Sequence, residues 1–276
     1  ALVALKVRRG QPLVAIGGGI TQDITCFIAA TMMRGLPWIF YPTTLLAQSD
    51  SCIGSKSSVN SGDLKNILGT FTPPEKVVID VDLIDTLEEA DLLSGIGEMI
   101  KVHAVDSPES FDRISSSYSQ LLSNKDVLES FICDSLLMKK KLIEIDEFDQ
   151  GPRNVMNYGH SFGHAIESAT QYAIPHGIAV TIGMDMANYV AAEVGVSSFS
   201  QFERMHNVLE KNCKTYRDVN IDVGLLMDVL AKDKKNSATQ LKLILPNHDG
   251  EICIGLYDNN ERLVQSIRKY FELCGN

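Results

Sequence analysis

The chain has 276 residues, 45% of them hydrophobic and 22% charged, with a formal net charge of −10. These are globular proportions, which exclude a disordered, collagenous or coiled-coil chain, and the length suggests about two domains. The acidic balance argues against a general nucleic-acid binder, which needs basic surface to displace counterions, yet it leaves room for a small anionic ligand held by local cations.

No apolar run approaches the roughly 20 residues that cross a bilayer, and no basic-then-apolar leader is visible. Cys26, Cys52, Cys133, Cys213, Cys253 and Cys274 form no CxxC pair and read as free thiols in a reducing compartment. A cytoplasmic enzyme is the expectation.

In chain order, Pro12–Ile16 is a short apolar run stopped by Gly17-Gly18-Gly19, which predicts a buried strand and a tight turn. A helix is expected over Thr21–Met33, a second strand over Pro37–Tyr41 and a third over Val77–Val81. That alternation predicts an α/β layer with parallel strands. Near Leu87 the pattern turns helical and stays so to about residue 210. Leu92, Leu93, Ile96, Met99 and Ile100 form one stripe, and Val127, Leu128, Phe131, Ile132, Leu136 and Met138 another; such stripes normally face a core. Residues 241–245 and 252–256 flank Asn247-His248-Asp249-Gly250 and predict a late β-hairpin.

Three constellations could carry chemistry. Glycines 17–19 lie between a strand and a helix, where backbone N–H groups can meet a phosphate or dinucleotide. The GxGxxG pattern is broken by Gln22, so a plain turn with Asp23 in the first helical turn is the competing reading. Thr43-Thr44 follow the next strand at the same sheet edge. His160 and His164 have the i, i+4 spacing of metal ligands, and His176 follows twelve residues later. Spacing alone nominates His160 and His164, with Glu98 and Glu167 as candidate outer carboxylates. Lys56, Lys65, Lys101, Lys139 to Lys141, Arg153, Lys232, Lys234 and Lys235 could bind anions, although each alone is as readily a solvated surface cation. Glu98 and Lys101 also make an i, i+3 pair that needs no catalytic role.

Together these pieces resemble the 3-dehydroquinate synthase family of sugar phosphate cyclases. The resemblance runs through GGGITQD, RGLPWIFYPTTLLAQSDSCIGSK, KNILGTF, GIGEMIK, DEFDQGPRNVMNYGHSFGHAIE, PHGIAVTIGM and AKDKK, in the family's order. It implies an α/β nucleotide-binding (Rossmann-like) domain over residues 1–87. A mainly α-helical metal- and substrate-binding domain would fill 88–276, ending with the small hairpin. The implied chemistry turns a phosphorylated seven-carbon keto acid into the ring of 3-dehydroquinate with loss of phosphate, in aromatic amino acid biosynthesis. NAD would be used catalytically, with a divalent metal, zinc or cobalt, as Lewis acid.

The resemblance moves the metal ligands to Glu98, His160 and His176 and places His164 in the substrate site. It puts NAD against Gly18, Gly19, Asp23, Thr43, Thr44 and the 83–86 segment, including Leu83 and Thr86. The substrate would meet Asp50, Lys56, Lys65, Asn66, Lys101, Lys139, Arg153, Asn157, His164 and Lys234, with Lys56 and Lys65 also bordering the cofactor. Arg34 would reach the site of a partner subunit, implying a homodimer. Lys139 and Arg153 favour a carboxylated substrate. Gly54-Ser55-Lys56 and His176-Gly177-Ile178 depart from the family's usual Gly-Gly-Lys and His-Gly-Glu. Relatives carry first strands upstream of the glycines, so a fragment with an incomplete nucleotide domain is expected. A sibling cyclase, a metal-dependent alcohol dehydrogenase and a non-catalytic relic are the competing readings.

Overall fold

The first strand is β1 (Leu13–Gly17), an aliphatic run that stops at the glycines. Gly18 is extended and caps α1 (Gly19–Thr31), which starts two residues earlier than the sequence suggested. Asp23 therefore lies beyond the first turn, and the dipole reading of this residue is corrected. Its Oδ1 instead accepts a hydrogen bond from the Ser58 amide at 3.0 Å. β2 (Trp38–Pro42) runs parallel to β1, with Leu13 opposite Trp38 and Gly17 opposite Pro42.

An unanticipated antiparallel pair follows, β3 (Val59–Ser61) and β4 (Leu64–Leu68). The expected third strand shrinks to β5 (Lys76–Val77), parallel to β2, and the sheet order is β1-β2-β5. It stops short because the Asp80 carboxylate accepts from the Asp82 amide at 3.0 Å and starts a 3-10 turn over Val81–Thr86. Such a side-chain bond offers the backbone an alternative to the sheet ladder. This computed structural model describes residues 2–61, 64–232 and 239–274, with only the backbone at 61, 64–66 and 232.

Helices then dominate. α2 (Glu89–Asp106) opens with Glu89 and Asp91 at its positive end, where acidic groups are favoured. α3 (Pro108–Leu121) starts at a proline behind Ser107, whose hydroxyl accepts from the Ser110 amide, and α4 (Lys125–Ile145) is capped by Asn124. Both are efficient starts. α5 (His160–Ala169), α6 (His176–Val194) and α7 (Phe199–Cys213) follow. α6 is buried from Gly177 to Ala192, a mostly apolar stretch that also carries the buried polar residues Thr181, Asp185 and Asn188. α8 (Val223–Lys232), the late hairpin of β6 (Gln240–Pro246) and β7 (Ile252–Asp258), and α9 (Glu261–Cys274) close the chain. The hairpin matches the sequence expectation, longer by a residue or two at its ends.

The α2–α6 crossing fixes the geometry of the functional region. A Cβ on Gly177 would collide with the Ser94 carbonyl, and one on Gly97 with the Gly177 carbonyl. The two backbones therefore touch. The Gly177 amide donates to Ser94 Oγ at 2.9 Å, and Asn212 donates to the Leu93 carbonyl and to Thr181 Oγ1, tying α7 to both helices. Gly159, with φ of +77°, lets the chain turn into α5 directly against Met184 and Val180 of α6.

Two predictions follow from this packing. Gly177→Ala should destabilise the chain by about 1–3 kcal/mol, the usual cost of overpacking a tight core, read as a lowered midpoint in denaturant; an unchanged midpoint would refute the backbone contact. His103 is fully buried among α2, α3 and α4, with Nδ1 2.8 Å from Ser110 Oγ and its ring against Phe131. Burial, and secondarily the nearby Arg113, lowers its pKa from 6.5 to about 4. The unfolded chain thus binds a proton that the folded chain refuses. Stability from this group is complete above about pH 6.5 and is lost as pH falls toward 4, by up to about 1.4 kcal/mol per pH unit. His103→Gln should flatten that slope in melts between pH 7 and 4.5.

Candidate functional site

Four side chains from three helices converge at the α2–α5–α6 junction. Glu98 lies in the middle of α2 and is 2% exposed. His160 and His164 stand one turn apart on α5, and His176 is the first residue of α6. Glu98 Oε1 lies 3.8 Å from His160 Nε2 and 3.4 Å from His176 Nε2. The rings of His160, His164 and His176 lie 5.3–5.7 Å apart, centroid to centroid, and one nitrogen of each falls within 4.8 Å of the others. The outer nitrogens are also engaged. His160 Nδ1 is 3.2 Å from the Tyr158 carbonyl, and His176 Nδ1 is 3.3 Å from Glu167 Oε1.

Glu98 Oε2 takes a 2.5 Å bond from Lys101, and Lys101 also donates to Asp50 Oδ2 at 2.9 Å. Asp50, in a buried π-helical turn over Ala47–Ser51, in turn meets Lys139 at 2.6 Å through Oδ1 and through its carbonyl. Burial penalises these charges, but alternation of sign outweighs it. Lys101, His160 and His176 hold the Glu98 carboxyl well below the usual range, while Asp50 and Glu98 raise Lys101. Burial, helped by Lys101 and the other two histidines, pushes His160 well below its ordinary value despite Glu98. His176 goes the other way: burial opposes its charge, yet the carboxylates of Glu167 and Glu98 beside its two nitrogens lift it to about 10.

Arg153, Lys56 and Asn157 make contacts of their own. Arg153 is 5% exposed and donates to the carbonyls of Glu147 (2.6 Å) and Gly54 (3.3 Å). Lys56 pairs with Asp149 at 2.6 Å, beside an edge contact between Phe71 and Phe148. Asn157 donates to the Asn154 carbonyl and lines a cavity of about 10 Å³ with Asn154, Ser161, Lys242 and Ile244. Ser161 and Lys242 were not anticipated as neighbours of Asn157; only the return of β6 brings Lys242 there. Lys234, and the side chains of Lys65 and Asn66, lie outside the described residues, as do those of Lys232 and Lys235.

At the sheet edge, the Thr43 amide donates to the Gly17 carbonyl at 3.0 Å, so the glycine turn and Thr43-Thr44 sit side by side at the ends of β1 and β2. A Cβ on Gly18 would strike the Thr44 side chain, whereas Gly19 faces open space. Burial raises the pKa of Asp23, only partly offset by the Ser58 amide. Leu83 and Thr86 lie in the 3-10 turn, Thr86 bonding back to the Leu83 carbonyl. Arg34 is exposed, with φ of +64°.

The donor set suits a divalent cation. Glu98 Oε1 is buried without a hydrogen-bond partner, an otherwise costly state for a carboxylate oxygen. Two donors on one tetrahedral ion, each about 2.0–2.1 Å from it, would lie about 3.3 Å apart, close to the Glu98–His176 separation. The backbone cradle at Gly18-Gly19, opening on a helix N-terminus, suits a phosphate or dinucleotide.

The chain has recognisable relatives along most of its length. The family described as "3-dehydroquinate synthase N-terminal" matches residues 1–94, and "3-dehydroquinate synthase C-terminal" matches 95–236. A 3-dehydroquinate synthase of Dictyoglomus turgidum is 40% identical over 252 residues, 89% of this chain and 70% of that protein. Two solved structures share the fold. A 2-deoxy-scyllo-inosose synthase complexed with carbaglucose-6-phosphate, NAD+ and Co2+ has a TM-score of 0.84 at 26% identity, covering 97% of this chain and 76% of that one. ValA, the 2-epi-5-epi-valiolone synthase of Streptomyces hygroscopicus subsp. jinggangensis 5008, with NAD+ and Zn2+ bound, has a TM-score of 0.86 at 25% identity, covering 99% and 76%. With both of its halves matched and the buried carboxylate and histidines gathered between α2, α5 and α6, the chain belongs to the 3-dehydroquinate synthase family.

Proposed function

We propose that this chain carries the activity for which its curated relatives are named: a carbon–oxygen lyase reaction converting a phosphorylated seven-carbon keto acid to 3-dehydroquinate with release of phosphate. The observation that carries the reading is the convergence of Glu98, His160 and His176 around an unpartnered carboxylate oxygen, inside a chain whose two halves match the family. Bound NAD would take up and return a hydride, and a divalent metal, zinc or cobalt, would polarise the hydroxyl being oxidised.

The chain's own groups would do the rest. Gly18, Gly19, Thr43 and Thr44 would hold the cofactor phosphates, with Asp23, Leu83 and Thr86 along its length. Glu98, His160 and His176 would hold the metal. Lys101, charged between Glu98 and Asp50, would fix Glu98 and orient substrate hydroxyls. Lys139, Arg153 and Asn157 would receive the substrate carboxylate and its neighbouring oxygens. Arg153 bonds two neutral carbonyls, so its charge stays available to an anion. Lys56, with Lys65, Asn66 and Lys234, would face the phosphorylated end, and His164 would carry a proton beside it. We place the division between nucleotide and substrate domains at residues 87/88, and Arg34 at the phosphate site of a second subunit in a homodimer. Among the described residues no helix is long and apolar enough to cross a membrane.

Three measurements test the reading. Metal content should vanish in Glu98→Ala, His160→Ala and His176→Ala but persist in His164→Ala, whose turnover should fall about 10²–10⁴-fold; the reverse pattern would refute the ligand choice. Arg153→Ala, with metal still bound, should lower turnover of the carboxylated substrate by at least about 100-fold, since a buried recognition group is lost. Phosphate release with the carboxylated seven-carbon substrate and with a carboxylate-free sugar phosphate, each with NAD and zinc, separates this activity from that of a sibling cyclase. Preference for the latter would overturn the substrate assignment.

A further inference from the structure

We propose that Glu167 is a positioning residue for the metal site: it fixes the ring and tautomer of His176 by accepting the Nδ1 proton, leaving Nε2 for the metal. The inference rests on the assignment of His176 as a ligand.

His160 and His176 are held in different ways. The outer nitrogen of His160 meets the carbonyl of Tyr158, two residues away in the same segment. That acceptor belongs to the backbone and no side-chain change removes it. His176 lacks such a local acceptor. It is the first residue of α6, behind Pro175, and its backbone is locked by the Gly177–Ser94 bond. Its side chain is 37% exposed, and its ring packs against those of His160 and His164, contacts that do not choose a tautomer. Two carboxylates face its nitrogens, Glu98 3.4 Å from Nε2 and Glu167 3.3 Å from Nδ1.

Glu167 is well placed for this task. It is 6% exposed, and a carboxylate that far from water needs a fixed hydrogen-bonding partner. It stands seven residues after His160 and three after His164, on the same α5 face, and α5 lies against α6 through the Gly159 turn. A histidine that donates one nitrogen to a carboxylate keeps the other as an acceptor and becomes a more basic ligand.

The test uses the metal-stripped full chain, titrated with Co2+ against a competing chelator, with the cobalt visible spectrum as a second readout. Glu167→Leu fills the space without an acceptor. It should weaken Co2+ binding about 10–100-fold and shift the visible bands. Glu167→Gln keeps an oxygen acceptor but loses the charge, and should restore the spectrum while binding several-fold more weakly than the parent. If Glu167→Leu fails to fold, judged by its melt without metal, Glu167→Gln decides alone, and parental affinity would overturn the proposal. Parental affinity and an unchanged spectrum in Glu167→Leu, with His176→Ala defective, would overturn it as well. Parental affinity in His176→Ala would bring down the ligand assignment itself, and this proposal with it.

Discussion

Two helix backbones in direct contact organise this molecule. α2 and α6 cross where Gly97 and Gly177 leave no side chain between them, and residue 98 of one helix is thereby set beside residue 176 of the other. Each of those neighbours carries an ionisable side chain, and the two approach to 3.4 Å. Had the crossing been separated by ordinary side chains, the helix axes would stand some 8–10 Å apart, and the Glu98 carboxylate would fall short of the imidazole. The hydrogen bonds from Gly177 to Ser94 and from Asn212 to Leu93 and Thr181 then hold the register along the crossing.

The second organising element is electrostatic. Glu98, Lys101, Asp50 and Lys139 form a chain of alternating charge in an interior where any one of them alone would be costly. The sequence is strongly acidic, and the expectation of a cationic pocket is tempered: Lys101, Lys139 and Lys56 each face a carboxylate here. What distinguishes the site is fixed position more than net positive charge. The bond from Lys56 to Asp149 is the most exposed of these pairs.

Much of this was legible in the sequence. The glycine turn, the threonine pair after the second strand, the helical stripes and the late hairpin all follow from local periodicity and turn chemistry. The ligand set proposed above was not legible in that way. A period of 3.6 residues reports neighbours on one helix, so it offered His160 and His164. Glu98 lies 62 residues before His160 and is brought in only by the crossing of α2 and α6. Lys101 meeting Asp50 across 51 residues is of the same kind. The resemblance to the family supplied Glu98 and His176, because ordered motifs carry tertiary information that periodicity lacks. The β3–β4 pair was missed because its strands are short and mix polar with apolar residues. The third strand was overestimated because Asp80 turns the chain out of the sheet.

β1 has consequences of a different sort. Among the described residues it is the outer strand of the parallel sheet, and its Val14 and Ile16 are 57% and 64% exposed, with Ile20 and Ile24 of α1 exposed beside them. A strand edge with free backbone groups and β-branched side chains is a template for further strand pairing, and natural sheets usually blunt such edges with charge, proline or a cover. None of the five residues of β1 is charged or proline. Left uncovered, such an edge favours self-association by strand pairing between copies of the chain.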